Sequence, residues 1–332
     1  MQDESQRHPL EKLWVNLAAE RLGARALFAT DEFFAPAENL LKPGRGIFIE
    51  DKYTTRGKWM DGWESRRKRE SGHDHCIVQL GLPGLVHGLD IDTNHFTGNH
   101  PPFASVEAAN TTDPLSLSTA WKEILPKSPL EPGSHNYFEM DHAKHWTHLR
   151  LNIFPDGGVA RFKVYGEVKF DWAGAAQDTP IDLAAMTHGG QVVVCSDMYF
   201  SHRSNLILPG PVRHMGDGWE TRRRRGPGHD WAIVTLGHAG VCEHIEIDTS
   251  FFKGNFPDTC QVEGIHLAEG QREGLENPSL HWQELLPSQK LQAHRRHKFT
   301  HEVVDLGPIT HVRLNIYPDG GVGRLRIWGR PV

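Results

Sequence analysis

Asp61 to His75 reads DGWESRRKRESGHDH, and Asp217 to Trp231 reads DGWETRRRRGPGHDW. Each copy packs acids, four basic residues, a Trp and a His-Asp pair into a segment with neither helical nor strand periodicity. The match continues outward. VNLAAERLGARALFATDEFF (Val15 to Phe34) answers IDLAAMTHGGQVVVCSDMYF (Ile181 to Phe200), and HLRLNIFPDGGVAR (His148 to Arg161) answers HVRLNIYPDGGVGR (His311 to Arg324). From Asp61 to Asn99, more than half of the positions are identical to Asp217 to Asn255 without a gap. A short insertion in the first copy lies between Asn39 and Asp61. The period of about 160 residues is that of a whole domain, not of a solenoid unit.

Within each copy the pattern is β. HCIVQLG and WAIVTLG are short apolar runs closed by Gly, and GLDIDT and HIEIDT alternate acid with aliphatic. HLRLNIF and HVRLNIY alternate Leu or Val with Arg and Asn, and PDGG follows each. That order predicts a hairpin whose two strands are joined by a Pro-Asp-Gly-Gly turn. TAWKEILP (Thr119 to Pro126) and LHWQELLP (Leu280 to Pro287) read as short helices closed by Pro. Short strands with Gly, Pro and Asn turns predict an all-β fold, a β-sandwich or jelly roll once per copy. The expected layout is an arm at residues 1–16, a first domain at 17–168, a linker at 169–182 and a second domain at 183–330. The linker contains FDWAGAAQDTP (Phe170 to Pro180).

Bulk properties narrow the function. Over 332 residues, 23% are charged and 38% hydrophobic, which is globular composition. A net charge of −6 argues against a nucleic-acid partner. The polar N-terminus carries no signal-peptide apolar region, and no stretch reaches the roughly 18 apolar residues of a membrane span. Cys76, Cys195, Cys242 and Cys260 face Ala232, Ala29, Val86 and Ala104 in the other copy. No disulfide framework is shared, so reduced thiols in the cytoplasm are expected.

Together DGWE[ST]RR, GHD, IDT, F, GN and RLNI[FY]PDGG resemble the allantoicase family. The resemblance spans nearly the whole chain and occurs twice. It implies two tandem jelly-roll β-sandwich domains similar to galactose-binding-like domains. It also implies hydrolysis of allantoate and water to (S)-ureidoglycolate and urea in purine breakdown. The second copy matches the pattern more fully. The first has His75 opposite Trp231 and Thr97 opposite Lys253.

Such a substrate is a small anion with two ureido arms. Its carboxylate calls for a guanidinium, and its arms for Asp, Glu, Asn and His. The acid-base candidates are Glu64, His73 and Asp74, with Glu220, His229 and Asp230. The substrate-binding candidates are Arg66, Arg67, Arg69, Asp92, Thr93 and Asn99, with Arg222, Arg223, Arg225, Asp248, Thr249 and Asn255. Trp63 and Trp219 read better as packing residues, Asp61 and Asp217 as turn formers, and Arg150, Asn152, Arg313 and Asn315 as structural. The 22 histidines include spaced sets at His142, His145 and His148 and at His294, His297 and His301, with His135 pairing with His297 between the copies. They give no structural zinc pattern, and a divalent metal assisting catalysis is left open. The partner is allantoate, and a homo-oligomer is expected. The alternative from another class is a non-catalytic small-ligand or carbohydrate-binding pair of sandwiches. A purely structural scaffold is the third reading. The Arg clusters with paired acids favour the enzyme over a sugar site.

Overall fold

The alternating segments are strands. A computed structural model describes residues 7–140, 144–175, 179–268, 274–275, 277 and 279–332. Two compact units emerge, His8–Lys169 and one built on Phe170–Val332. The first opens with a short helix α1 (Pro9–Leu13). Its strands are β1 (Val15–Asn16), β2 (Arg25–Ala29), β3 (Tyr53–Thr54), β4 (Gly57–Lys58), β5 (Trp63–Glu64), β6 (Asp74–Asp92), β7 (Phe103–Ala109), β8 (Lys122–Pro129), β9 (Tyr137–Glu139), β10 (His145–Phe154), β11 (Gly158–Val159) and β12 (Arg161–Val168). The second unit repeats the order. It has β13 (Ile181–Asp182), β14 (Gln191–Cys195), β15 (Trp219–Glu220), β16 (Asp230–Asp248), β17 (Thr259–Ile265), β18 (Gln283–Lys290), β19 (Arg296–Phe299), β20 (Pro308–Tyr317), β21 (Gly321–Val322) and β22 (Arg324–Pro331).

The long strand β6 organises the first unit. Its first half, Asp74 to Gln79, lies between β2 and β10, and its second half, from Gly84 on, lies between β12 and β9. The register breaks between Gln79 and Gly84, where Pro83 denies the ladder a donor. One strand therefore serves two layers. One runs β8-β7-β10-β6-β2, and the other β9-β6-β12-β1. The inward residues of both halves meet: Cys76 and Val78 share a core with Leu89, Ile91, Leu151 and Phe162. β16 does the same between β14 and β20, then between β22 and β19. Each unit is a jelly-roll β-sandwich.

Four expectations change. PDGG does not close a hairpin: β10 pairs with β6 and β7, while β12 pairs with β6 and β1. The turn carries the chain from one layer to the other. The two predicted short helices are instead the edge strands β8 and β18, because Ile124 with Leu125, and Leu285 with Leu286, are buried in pairings with β7 and β17. Residues 8–16 are not an outlying arm. Leu10 is buried, the Tyr137 hydroxyl donates to Glu11 at 2.6 Å, and β1 pairs with β12. The linker too is part of a unit: the Phe170 and Trp172 rings meet edge to face and both lie against that of His188, and β13 pairs with β22. All four cysteines are free thiols.

Candidate active site

The repeated motifs sit far apart in sequence and meet at one end of each sandwich. Because β6 turns its corner at Pro83, its two ends, Asp74 and Asp92, lie at the same end of the fold. The PDGG segment runs beside the opening motif there. The Asp74 amide donates to Pro155 O, the Lys68 amide to Asp156 Oδ2 and the Ser65 amide to Gly157 O, while Glu64 pairs with Gly158. Gly157 holds φ +140°, and a side chain there would press on Asn99 O at 2.7 Å. Only glycine suits the position. The Gly158 amide in turn donates to Asn99 O. Gly320, Gly321 and Asn255 repeat this arrangement in the second unit.

The locked backbone aims a carboxyl. Asn99 Nδ2 donates to Glu64 Oε1 at 2.7 Å, and Asn255 makes the same bond to Glu220. Burial raises the pKa of both Glu64 and Glu220, and the single Asn hydrogen bond only partly offsets it. A carboxyl biased toward its neutral form can donate a proton.

A second group lies on the outer face of the β7-β10-β6 layer. Arg150 Nε donates to Glu107 Oε2 at 2.7 Å, and Asn152 Nδ2 donates to the same oxygen at 2.9 Å. Asn152 Oδ1 faces His73 Nε2 at 3.3 Å. In the second unit Arg313 and Asn315 donate to Glu263 Oε2 at 2.6 and 2.7 Å, and Asn315 Oδ1 faces His229 Nε2 at 3.2 Å. The hydrogen bond from Arg150 holds the Glu107 carboxyl below its usual range against the cost of burial. Glu107 is thus an ionised acceptor. The Asn amide nitrogen must face it, so the Asn oxygen faces the imidazole. Nε2 then carries a proton, and Nδ1 is the ring atom left to accept one. Each imidazole also lies against an aromatic ring, Phe154 at 4.6 Å or Tyr317 at 4.5 Å.

The candidate residues divide by position. Arg67, Arg69, Arg223 and Arg225 are exposed and make no hydrogen bond or ion pair with the described residues. Arg66 and Arg222 pair with Asp31 and Asp197 at the exposed rim. Several others are held by neighbouring side chains and loops. Asp74 is buried against Lys68 at 2.7 Å and Thr30 at 2.9 Å, and Asp230 against Arg224 and Ser196. Both contacts fall on Oδ1 in each case and tie the loop to its neighbours. Asp92 is spent on Arg45 through two bonds of 2.7 and 3.0 Å. Thr93 and Thr249 are fully buried and each donate to a loop carbonyl at 2.6 Å. Asp248 accepts from the Ser250 amide and lines a separate cavity. Asp61 and Asp217, expected as turn formers, are buried partners of Arg161 and Arg324. Trp63 and Trp219 are core residues whose indoles donate to Asp31 O and Asp197 O.

Asn152 and Asn315, read from the sequence as structural, and Glu107 and Glu263, not singled out there, complete this second group. The available signal was the repeat itself, since Arg and Asn recur two apart, on one strand face, in both copies. The spaced histidines do not converge. His297 bonds Ile247 O and takes the Gln292 amide, as Asn136 does with Ile91 and Glu131. Its counterpart is therefore Asn136, not His135. His142 lies outside the described residues. Among the described residues, Glu11, Asp90 and His135 bring ligating atoms within 4.8 Å. His135 is already bonded to Asp90 at 2.8 Å, and Lys163 stands 3.6 Å from the same carboxyl. A cation would have to displace both.

A family model described as Allantoicase repeat matches residues 15–169 and 181–332. The chain is 53% identical over 317 residues to "Probable allantoicase 1" of Burkholderia mallei, covering 95% of this chain and 94% of that one. It is 52% identical to "Probable allantoicase" of Ralstonia nicotianae, again covering 95% and 94%. A crystal structure of allantoicase from Saccharomyces cerevisiae is similar with a TM-score of 0.80 at 36% identity, covering 95% of this chain and 92% of that one.

Proposed function

The chain belongs to the allantoicase family, and from that premise we propose that it hydrolyses allantoate to ureidoglycolate and urea. The observation that carries this is the match of both repeats to the family from end to end. The site chemistry supports it. Intact urea leaves, so the bond broken joins the central carbon to a ureido nitrogen. His73 or His229, through Nδ1, takes the proton from the retained ureido N–H. Glu64 or Glu220, in its protonated form, which burial favours, gives a proton to the departing nitrogen. The electrons of the retained N–H form a C=N bond, urea departs, and water adds to the acylimine carbon. Arg67 and Arg69, or Arg223 and Arg225, hold the substrate carboxylate. The PDGG segment links the two groups, since Pro155 O accepts from the amide next to His73 and Gly158 pairs with Glu64.

Purified protein incubated with allantoate, with and without added divalent metal, should release urea and ureidoglycolate in equal amounts. No turnover under either condition would sink the proposal. In labelled water the label should enter ureidoglycolate, and label in urea would exclude the acylimine route.

The proposal extends to a cytoplasmic homo-oligomer. The four free thiols suit a reducing compartment. No helix among the described residues is long and apolar enough to cross a membrane. Sedimentation of the pure protein reads the assembly, and a monomer would remove that part.

A further inference from the structure

The outer face of β16, β19 and β22 in the second unit holds a cavity of about 410 Å³, within the range of small-molecule sites. Asp182, Glu246, Asp248, Arg296, Arg326 and Trp328 line it. Not all of its polar groups are spent. Arg326 is 3.4 Å from Asp182 and donates to Leu208 O and Gly210 O. Arg296, with its side chain 60% exposed, reaches Asp248 only at 3.9 Å. The Glu246 side chain makes no hydrogen bond or ion pair with the described residues. The shielded indole N–H of Trp328 finds no acceptor among them.

The equivalent face of the first unit is filled by the chain itself. Asp90 and Lys163 stand where the second unit has Glu246 and Arg326. Leu10 of α1 lies over Gly88, so closely that a side chain there would overlap it. The Glu11 carboxylate accepts from Tyr137 at 2.6 Å and sits 3.9 Å from Lys163. The His8 ring stacks on Tyr137 at 3.9 Å. There the occupant is a carboxylate at the cation with a planar group beside it. In the second unit the cavity borders the same strand positions, and the Glu246 side chain has no hydrogen-bond or ion-pair partner among the described residues.

We propose that this cavity is a second ligand site, taking a small carboxylic acid that also carries a planar, N–H-rich group of the ureido or guanidino class. The ligand carboxylate meets Arg296, backed by Arg326. Its paired N–H groups meet the Glu246 carboxylate, and its plane lies against Trp328. Of these residues only Asp248 belongs to the repeated loop motifs, and Glu220, His229, Asn255 and Asn315 are not among the described residues that line the cavity.

Hydantoate (ureidoacetate) is a suitable probe, because it has one ureido arm and one carboxylate and no second arm to lose. Calorimetric titration of the full chain should show saturable binding that survives the His73→Ala/His229→Ala double substitution. Glu246→Ala and Arg296→Ala should each raise Kd tenfold or more while leaving allantoate turnover intact. Absence of saturable binding, or binding unchanged in both variants, would overturn the second site. So would loss of turnover in Glu246→Ala, which would make the cavity part of the reaction site. Turnover by the wild-type chain reads the hydrolysis proposal independently of these results.

Discussion

The tautomer of one imidazole in each unit depends on its Asn neighbour. Asn152 and Asn315 present oxygen to His73 and His229 because their amide nitrogens are claimed by Glu107 and Glu263. Replacing both Asn residues with Leu should lower kcat by about tenfold to a hundredfold with KM little changed, as expected for a misdirected general base. Steady-state kinetics would show it, and an unchanged kcat would remove the Asn residues from the reaction. Stability rests on other side chains. Arg324→Ala removes the buried guanidinium partner of Asp217, leaving the exposed Arg213 beside it, and should cost roughly 3–5 kcal/mol, while the exposed Arg223→Ala should cost almost nothing. Urea unfolding would separate them. Burial lifts the Asp182 carboxyl to about 6, against 3.8 as its ordinary value. The folded state binds that proton more tightly, so the contribution is full at low pH and lost as pH rises through 6. Relative to Asp182→Asn, the wild type should lose about 2 kcal/mol between about pH 4.5 and about pH 7. An unchanging gap across that range would contradict the assigned burial effect.

At the scale of elements, the jelly roll depends on strands that change layers. β6 and β16 do so at a break in their ladders, and PDGG does so between β10 and β12. Gly157→Ala and Gly320→Ala put a side chain on a left-handed backbone and against the Asn99 or Asn255 carbonyl. Each should destabilise its unit by about 1–3 kcal/mol and also lower turnover, since the displaced Asn no longer holds Glu64 or Glu220. Thermal unfolding with an activity assay would register both effects, and a stable, fully active Gly320→Ala would refute the coupling. Strand character was legible because period-two alternation is local. Partners were not, because pairing depends on residues tens of positions away. HLRLNIFPDGG therefore looked like a hairpin although its strands lie in different layers. TAWKEILP looked helical because its two adjacent aliphatics suit either geometry, and only the neighbouring β7 decides.

Across the whole molecule the duplication gave the candidate site its most useful signal. Glu64, His73 and Asn99, with Glu220, His229 and Asn255, stood out because both copies keep them, and both units give them matching partners. The same signal also gathered Asp74, Asp92 and Thr93, whose side chains are buried in bonds to Lys68, Arg45 and loop carbonyls. Burial and bonding separate the two kinds, and neither is visible in a string of letters. Each unit builds its own Glu-Asn and His-Asn-Glu groups, so His73→Ala and His229→Ala should singly leave part of the turnover. The most direct measurement is urea release from allantoate by the wild type and by the His73→Ala/His229→Ala double variant, both checked as folded. The account predicts equal release of urea and ureidoglycolate by the wild type and a fall of about 10² to 10⁴ in the double variant. A double variant that turns over allantoate at the wild-type rate would contradict it.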